Sequence, residues 1–141
     1  MKPLFIDTWG WLALADSSEE VHTDVAEYFR ESTASGRTIY TTDFILDETI
    51  TLLYLRLDAE SARVMMDRLL GWHDVGVIKI ILVNEALFQR TVSLRRRYQD
   101  KPDISFTDLT SMVVMQELSI TDVLTGDAHF EHVGLGLRRA P

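Results

Sequence analysis

The chain has 141 residues, 46% of them hydrophobic and 26% charged, a size and composition suited to one domain with a substantial core. It contains no cysteine, which excludes disulfide frameworks, thiolate zinc sites and cysteine nucleophiles. A formal net charge of −8 argues against holding nucleic acid by bulk attraction, although an acidic site for divalent cations can make a nucleic-acid enzyme acidic overall.

The N-terminus, with one lysine and a short apolar run, lacks the form of a signal peptide, and no segment approaches the length of a membrane span. A soluble cytoplasmic domain is expected. Leu4-Phe5-Ile6 is too short for a core helix and reads as a buried strand, with Asp7 at its C-terminal end. Thr8 to Ala15 follows as a short apolar helix with Trp9, Leu12 and Ala13 on one face. Ser17 and Glu20 match the capping-box spacing and predict a helix from there to about Ser32, striped by Val21, Val25, Tyr28 and Phe29.

Ser35-Gly36-Arg37 is a turn, and Thr38–Thr41 reads as the second strand. Two amphipathic helices follow, Asp43 to about Leu57 and Asp58 to about Trp72, with Phe44, Ile45, Ile50 and Leu53 facing Val64, Met65, Leu69 and Trp72. Gly76–Val83 carries the clearest β signal. Asn84 caps a helix with Leu87, Thr91, Leu94 and Tyr98 on one face and Arg90, Arg95 and Arg97 on the other, Arg96 alongside. The helix from Phe106 to about Leu118 is apolar nearly all round and is expected to be buried. Asp122–Thr125 is a fourth strand, and the tail Leu135–Arg138 reads as an edge strand. Strands alternating with helices predict a three-layer α/β domain over residues 1–141, with a mainly parallel central sheet of about four or five strands flanked by helices.

Four carboxylates stand where strand ends or buried helix starts would gather them: Asp7, Glu48, Asp108 and Asp127. Each has a plain explanation when taken singly. Asp7 caps a helix, Glu48 faces solvent beside Asp47, Asp108 completes a capping box from Ser105, and Asp127 is a turn residue. Their coincidence at one sheet edge points further. Two carboxylates about 5 Å apart repel by roughly 3 kcal/mol at an effective dielectric near 20. A cluster therefore takes up protons or holds cations. All-oxygen donors suit Mg²⁺ or Mn²⁺, which can generate a hydroxide nucleophile and stabilise the leaving oxygen of a phosphodiester. Nucleotide-cradling glycine loops and Gly-x-Ser-x-Gly are absent, and His22, His73, His129 and His132 sit in no metal-binding frame. The Trp and Met residues read as core filling. Arg90, Arg95, Arg96 and Arg97 form a solvated helix face that, near the acids, would be candidate contacts for RNA phosphate.

Ile-Asp-Thr at Asp7, Glu48 in an apolar helix, Ser-Phe-Thr-Asp at Asp108 and Thr-Gly-Asp-Ala-His-Phe at Asp127 together resemble the PIN domain, and within it the VapC-type toxins of bacterial toxin–antitoxin pairs. The resemblance spans the chain from Phe5 to the Leu135-Gly136-Leu137 tail. It implies a PIN fold and a Mg²⁺- or Mn²⁺-dependent endoribonuclease, with Asp7, Glu48, Asp108 and Asp127 as catalytic metal ligands and Thr8 and Thr125 supporting them. It also implies a homodimer and a cognate antitoxin. The alternative is a PIN-fold module that binds RNA or protein without cutting. A dehalogenase-type phosphatase would need a second aspartate where Trp9 stands.

Overall fold

In the computed structural model, which describes residues 1–141, the first apolar run forms β1 (Leu4–Ile6), with all three side chains fully buried. Burial on both faces is what a central strand of a parallel sheet requires. β1 lies between β2 (Ile39–Thr42) and β4 (Asp122–Leu124), in parallel register Leu4↔Ile39 and Leu4↔Asp122. β3 (Ile78–Ile81) pairs outside β2 and β5 (Arg138–Ala140) outside β4. The result is a five-stranded, wholly parallel sheet of order β3-β2-β1-β4-β5.

Seven helices flank this sheet: α1 (Thr8–Ala15), α2 (His22–Ala34), α3 (Asp43–Arg56), α4 (Ala59–Asp74), α5 (Glu85–Arg97), α6 (Phe106–Glu117) and the short α7 (His129–His132). The expected α/β architecture is present. α6 is buried almost throughout, from Leu109 to Met115, as its all-apolar sequence requires. No helix is long and apolar enough to cross a membrane.

The chain visits β1, β2 and β3 outward in one direction, then returns past β1 to lay down β4 and β5 on the other side. The order thus reverses between β1 and β4. In open α/β sheets, ligands bind in the crevice outside the strand C-termini at such a reversal. Asp7 and Thr125 are the residues immediately beyond the ends of β1 and β4.

Several local expectations are corrected. Ser17 and Glu20 form no capping box. Asp16 Oδ1 instead accepts hydrogen bonds from the Ser18 amide (3.0 Å) and hydroxyl (2.6 Å), and α2 starts at His22 with no side-chain cap. β3 is half the expected Gly76–Val83 run, because it is an edge strand whose only partner, β2, offers four residues. β5 begins at Arg138 rather than Leu135, since Gly134 and Gly136 turn the chain with φ of +72° and +76° before pairing starts. In α1 the buried indole is Trp11, not Trp9: Trp11 is fully buried and Trp9 is 37% exposed. Trp11 stacks within 6.4 Å of Trp72 and meets Phe29 edge-on at 6.1 Å, joining α1, α2 and α4. Its Nε1–H donates to Thr41 Oγ1 (3.1 Å), whose hydroxyl donates on to the Ile6 carbonyl (3.0 Å).

Candidate active site

Asp7 has extended backbone and caps α1, its Oδ1 accepting the Gly10 amide at 3.0 Å. Its Oδ2 accepts the Thr125 hydroxyl at 2.5 Å, and the same Thr125 Oγ1 accepts the Asp127 amide at 3.0 Å. One threonine at the end of β4 therefore ties the carboxylate that follows β1 to the backbone of the aspartate that follows β4. Only 4% of Asp7 is exposed. Burial pushes its pKa up to about 7; the bonds from Thr125 and Gly10 oppose this, and the charges of Asp108 and Asp127 reinforce it.

Asp108 lies in the first turn of α6, which Ser105 caps by accepting the Asp108 amide at 3.0 Å. Its carboxyl is pushed up to about 6, by burial first and then by the charge of neighbouring Asp127. Ser105 pulls the other way, and Glu48 adds a smaller upward push. Asp7, Asp108 and Asp127 are thus electrostatically joined. Glu48 completes the lining from α3 but is solvent-exposed, so it comes to the site without the desolvation that marks Asp7.

Asp127 is oriented from the other side. Its Oδ1 accepts the His129 amide at 2.8 Å, and the His129 ring sits between Asp127 (2.9 Å from Nδ1) and Asp103 (2.7 Å from Nε2). Only the Asp103 contact is aligned as a hydrogen bond; Nδ1 has close charge but no bonded partner. Partial burial lowers the His129 pKa, but the two carboxylates outweigh it and the net direction is upward. Neither the short helix α7 nor the Asp103 contact is visible in the local sequence pattern.

A cavity of about 310 Å³ opens over these groups, lined by Asp7, Thr8, Glu48, Asp108 and Asp127 together with Trp9. Thr8 is 8% exposed, and its hydroxyl is buried without a hydrogen-bond partner. Arg56, at the C-terminus of α3, is the single cation in the lining and stands 3.8 Å from Glu19, both side chains being half exposed. Nothing local in the sequence links Arg56 to a strand end.

The four arginines of α5 do not line this cavity. Arg95 is engaged with the Tyr98, Lys101 and Ile104 carbonyls at 2.5–2.7 Å, closing the loop after α5. Arg90 pairs with Glu117. Arg97 lies 5.5 Å from the Tyr98 ring centroid, and Arg96 is exposed.

The donor chemistry fits a hard divalent cation: carboxylates only, no sulfur, a shared excess of negative charge and an unpartnered hydroxyl on the same wall. With the side chains as they stand, no three Asp, Glu or His residues converge tightly enough to hold one ion.

The sequence model of the PIN domain matches residues 4–135. No curated protein matches the sequence. Among solved structures, VapC20 of Mycobacterium tuberculosis, described as a sarcin–ricin loop cleaving toxin, is 26% identical and superimposes with a TM-score of 0.77 over 93% of this chain and 95% of that one. FitAcB from Neisseria gonorrhoeae (14% identity, TM-score 0.67, 98% and 96% of the two chains) and PAE2754 from Pyrobaculum aerophilum (12%, 0.66, 98% and 90%) share the fold.

Proposed function

We propose that this chain, which belongs to the PIN domain family, is a divalent-metal-dependent endoribonuclease and the toxin of a type II toxin–antitoxin pair. The observation that carries this reading is the joined set Asp7, Asp108 and Asp127 at the sheet reversal, two of them with pKa values raised toward neutrality. Asp7 and Asp108 are perturbed carboxyls in a cleft and neither is in an ion pair, which favours a working site over a structural salt bridge. VapC20, at 26% identity over nearly the whole chain, supports the choice of RNA and of a toxin role.

Asp7, Glu48, Asp108 and Asp127 would hold Mg²⁺ or Mn²⁺, with Thr8 and Thr125 supporting Asp7. A cation bound there supplies the acidification of water and the charge neutralisation that phosphodiester hydrolysis needs. The protein's own part is positional. The Gly10 amide and Thr125 hydroxyl hold both Asp7 oxygens in place, and Asp103 holds the His129 ring against Asp127. Arg56 is the group placed to take a phosphate oxygen, in preference to the α5 arginines. A cognate antitoxin and a homodimer complete the reading.

The test is cleavage of RNA by purified protein with Mg²⁺ or Mn²⁺ and a chelator control. Asp7→Asn and Asp108→Asn should each abolish cleavage while leaving the circular dichroism spectrum unchanged; full activity in either variant would overturn the assignment. The absence of a tight three-ligand cluster favours a second reading, a PIN-fold module that binds RNA or protein without cutting. Thermal melting separates the two: Mn²⁺ should raise the melting temperature of the wild type and not of Asp7→Asn, whereas no response in either favours the module.

A further inference from the structure

Trp9 is the one tryptophan that the core does not use. Trp11 and Trp72 stack with each other, whereas Trp9, two residues after Asp7, leaves 37% of its surface exposed. Its ring lies against Gly126, where a Cβ would come within 2.5 Å of Trp9 Cε2 and 2.6 Å of Nε1, so with the indole in this position only glycine fits. Trp9 lines the acidic cavity and also a second cavity of about 440 Å³, lined as well by Asp24, Glu131 and Arg139. A partly exposed indole seated against backbone offers a flat partner its ring, with only two side-chain torsions to order.

We propose that Trp9 is a stacking wall for RNA, and that the second cavity receives the base of the nucleotide flanking the phosphodiester held at the acids. The inference rests on the reading of the acidic cavity as an RNA-cleaving site and adds its neighbouring subsite. Every nucleobase has a π-face, so an aromatic wall shared by the two cavities grips the flanking nucleotide whatever its identity. The contact offsets the poor electrostatic welcome that a chain of net charge −8 gives to RNA.

Two readouts test this. First, steady-state cleavage of a short single-stranded RNA is compared for wild type, Trp9→Ala and Trp9→Phe, on intact substrate and on substrates with one abasic nucleotide placed in turn on either side of the mapped cleavage site. Trp9→Ala should raise KM by about 5- to 150-fold with kcat at saturation little changed, and Trp9→Phe should restore most of the loss. At one abasic position the wild type should show the same KM increase, with no further loss on adding Trp9→Ala. Second, the same RNA, titrated in Ca²⁺ to slow turnover, should quench the part of the tryptophan fluorescence that Trp9→Phe removes. Quenching without cleavage by the wild type in Mg²⁺ or Mn²⁺ would keep the subsite and overturn the nuclease reading. Cleavage with a wild-type KM in Trp9→Ala, or with additive losses at every abasic position, would keep the nuclease and overturn the subsite.

Discussion

Consider Asp7→Asn in protein stripped of divalent cations. In the wild type the Asp7 carboxyl is raised from an ordinary 3.8 to about 7 on folding. Between those values the unfolded chain has lost the proton and the folded chain keeps it. Stability therefore falls as pH rises from about 4 to about 7 and levels off above, because the folded state binds more protons throughout that window. A shift of about three units at ~1.36 kcal/mol each amounts to about 4 kcal/mol, a large part of a typical domain's 5–15 kcal/mol. Asparagine removes this term and can still accept the Gly10 amide as a helix cap. Its amide nitrogen would meet Thr125 Oγ1, which already accepts the Asp127 amide, so some of the gain is lost there. The variant should therefore be more stable than wild type by about 2–4 kcal/mol at pH 8 with chelator, the advantage vanishing near pH 4. Urea denaturation at the two pH values measures it. Mg²⁺ at about 1,000 times its Kd should reverse the order, since it adds about 4.1 kcal/mol to the wild type alone. Equal pH slopes in the two proteins, or a variant no more stable at pH 8, would refute the reasoning.

Two further outcomes are expected. Arg56→Ala should raise KM for RNA about tenfold and reduce the salt dependence of binding by about one charge, with chemical stability unchanged because its only ion pair is exposed and loose. At the opposite end of the sheet, Asp122→Ala should cost about 1–3 kcal/mol in urea denaturation: it takes the carboxylate at 3.0 Å from Arg37, which is 14% exposed and keeps only the neutral Tyr28 hydroxyl (2.7 Å) and the Lys2 (2.8 Å) and Pro3 (3.4 Å) carbonyls. Cleavage by that variant, assayed below its unfolding transition, should match the wild type, since Asp122 starts β4 and the site lies beyond its end.

What could be read from the sequence was whatever a local pattern determines. β1 and α6 declare themselves because short or all-round apolar runs bounded by polar residues leave few alternatives, and Asp7 and Asp108 fall at those boundaries. The phase of α1 could not be read in the same way. With Trp9, Gly10, Trp11, Leu12 and Ala13 in succession, periodicity does not say which indole turns inward. The choice is made by Thr41, thirty residues away, which accepts the Trp11 N–H. Arg95 looked like part of a basic face because charge alone was visible; its guanidinium is used by three carbonyls of the loop behind it. Arg56 is the converse case, since its place at the acidic cavity depends on the long-range packing of α3 and not on any local pattern.

Capping α1 and holding a metal ion are compatible roles for Asp7. Capping orients Oδ1 on Gly10, and the Thr125 hydroxyl orients Oδ2, so the carboxylate is immobilised before any ion arrives. Gly10 is itself constrained, since a Cβ there would lie 2.8 Å from both Ile6 Cγ2 and the Leu124 carbonyl oxygen. The close approach of α1 to β1 and β4 that demands glycine is what brings the Gly10 amide within reach of Asp7. The same approach removes water from the carboxyl and raises its pKa. Desolvation thus leaves Asp7 poorly satisfied as an anion without a cation, which is the condition for binding one strongly.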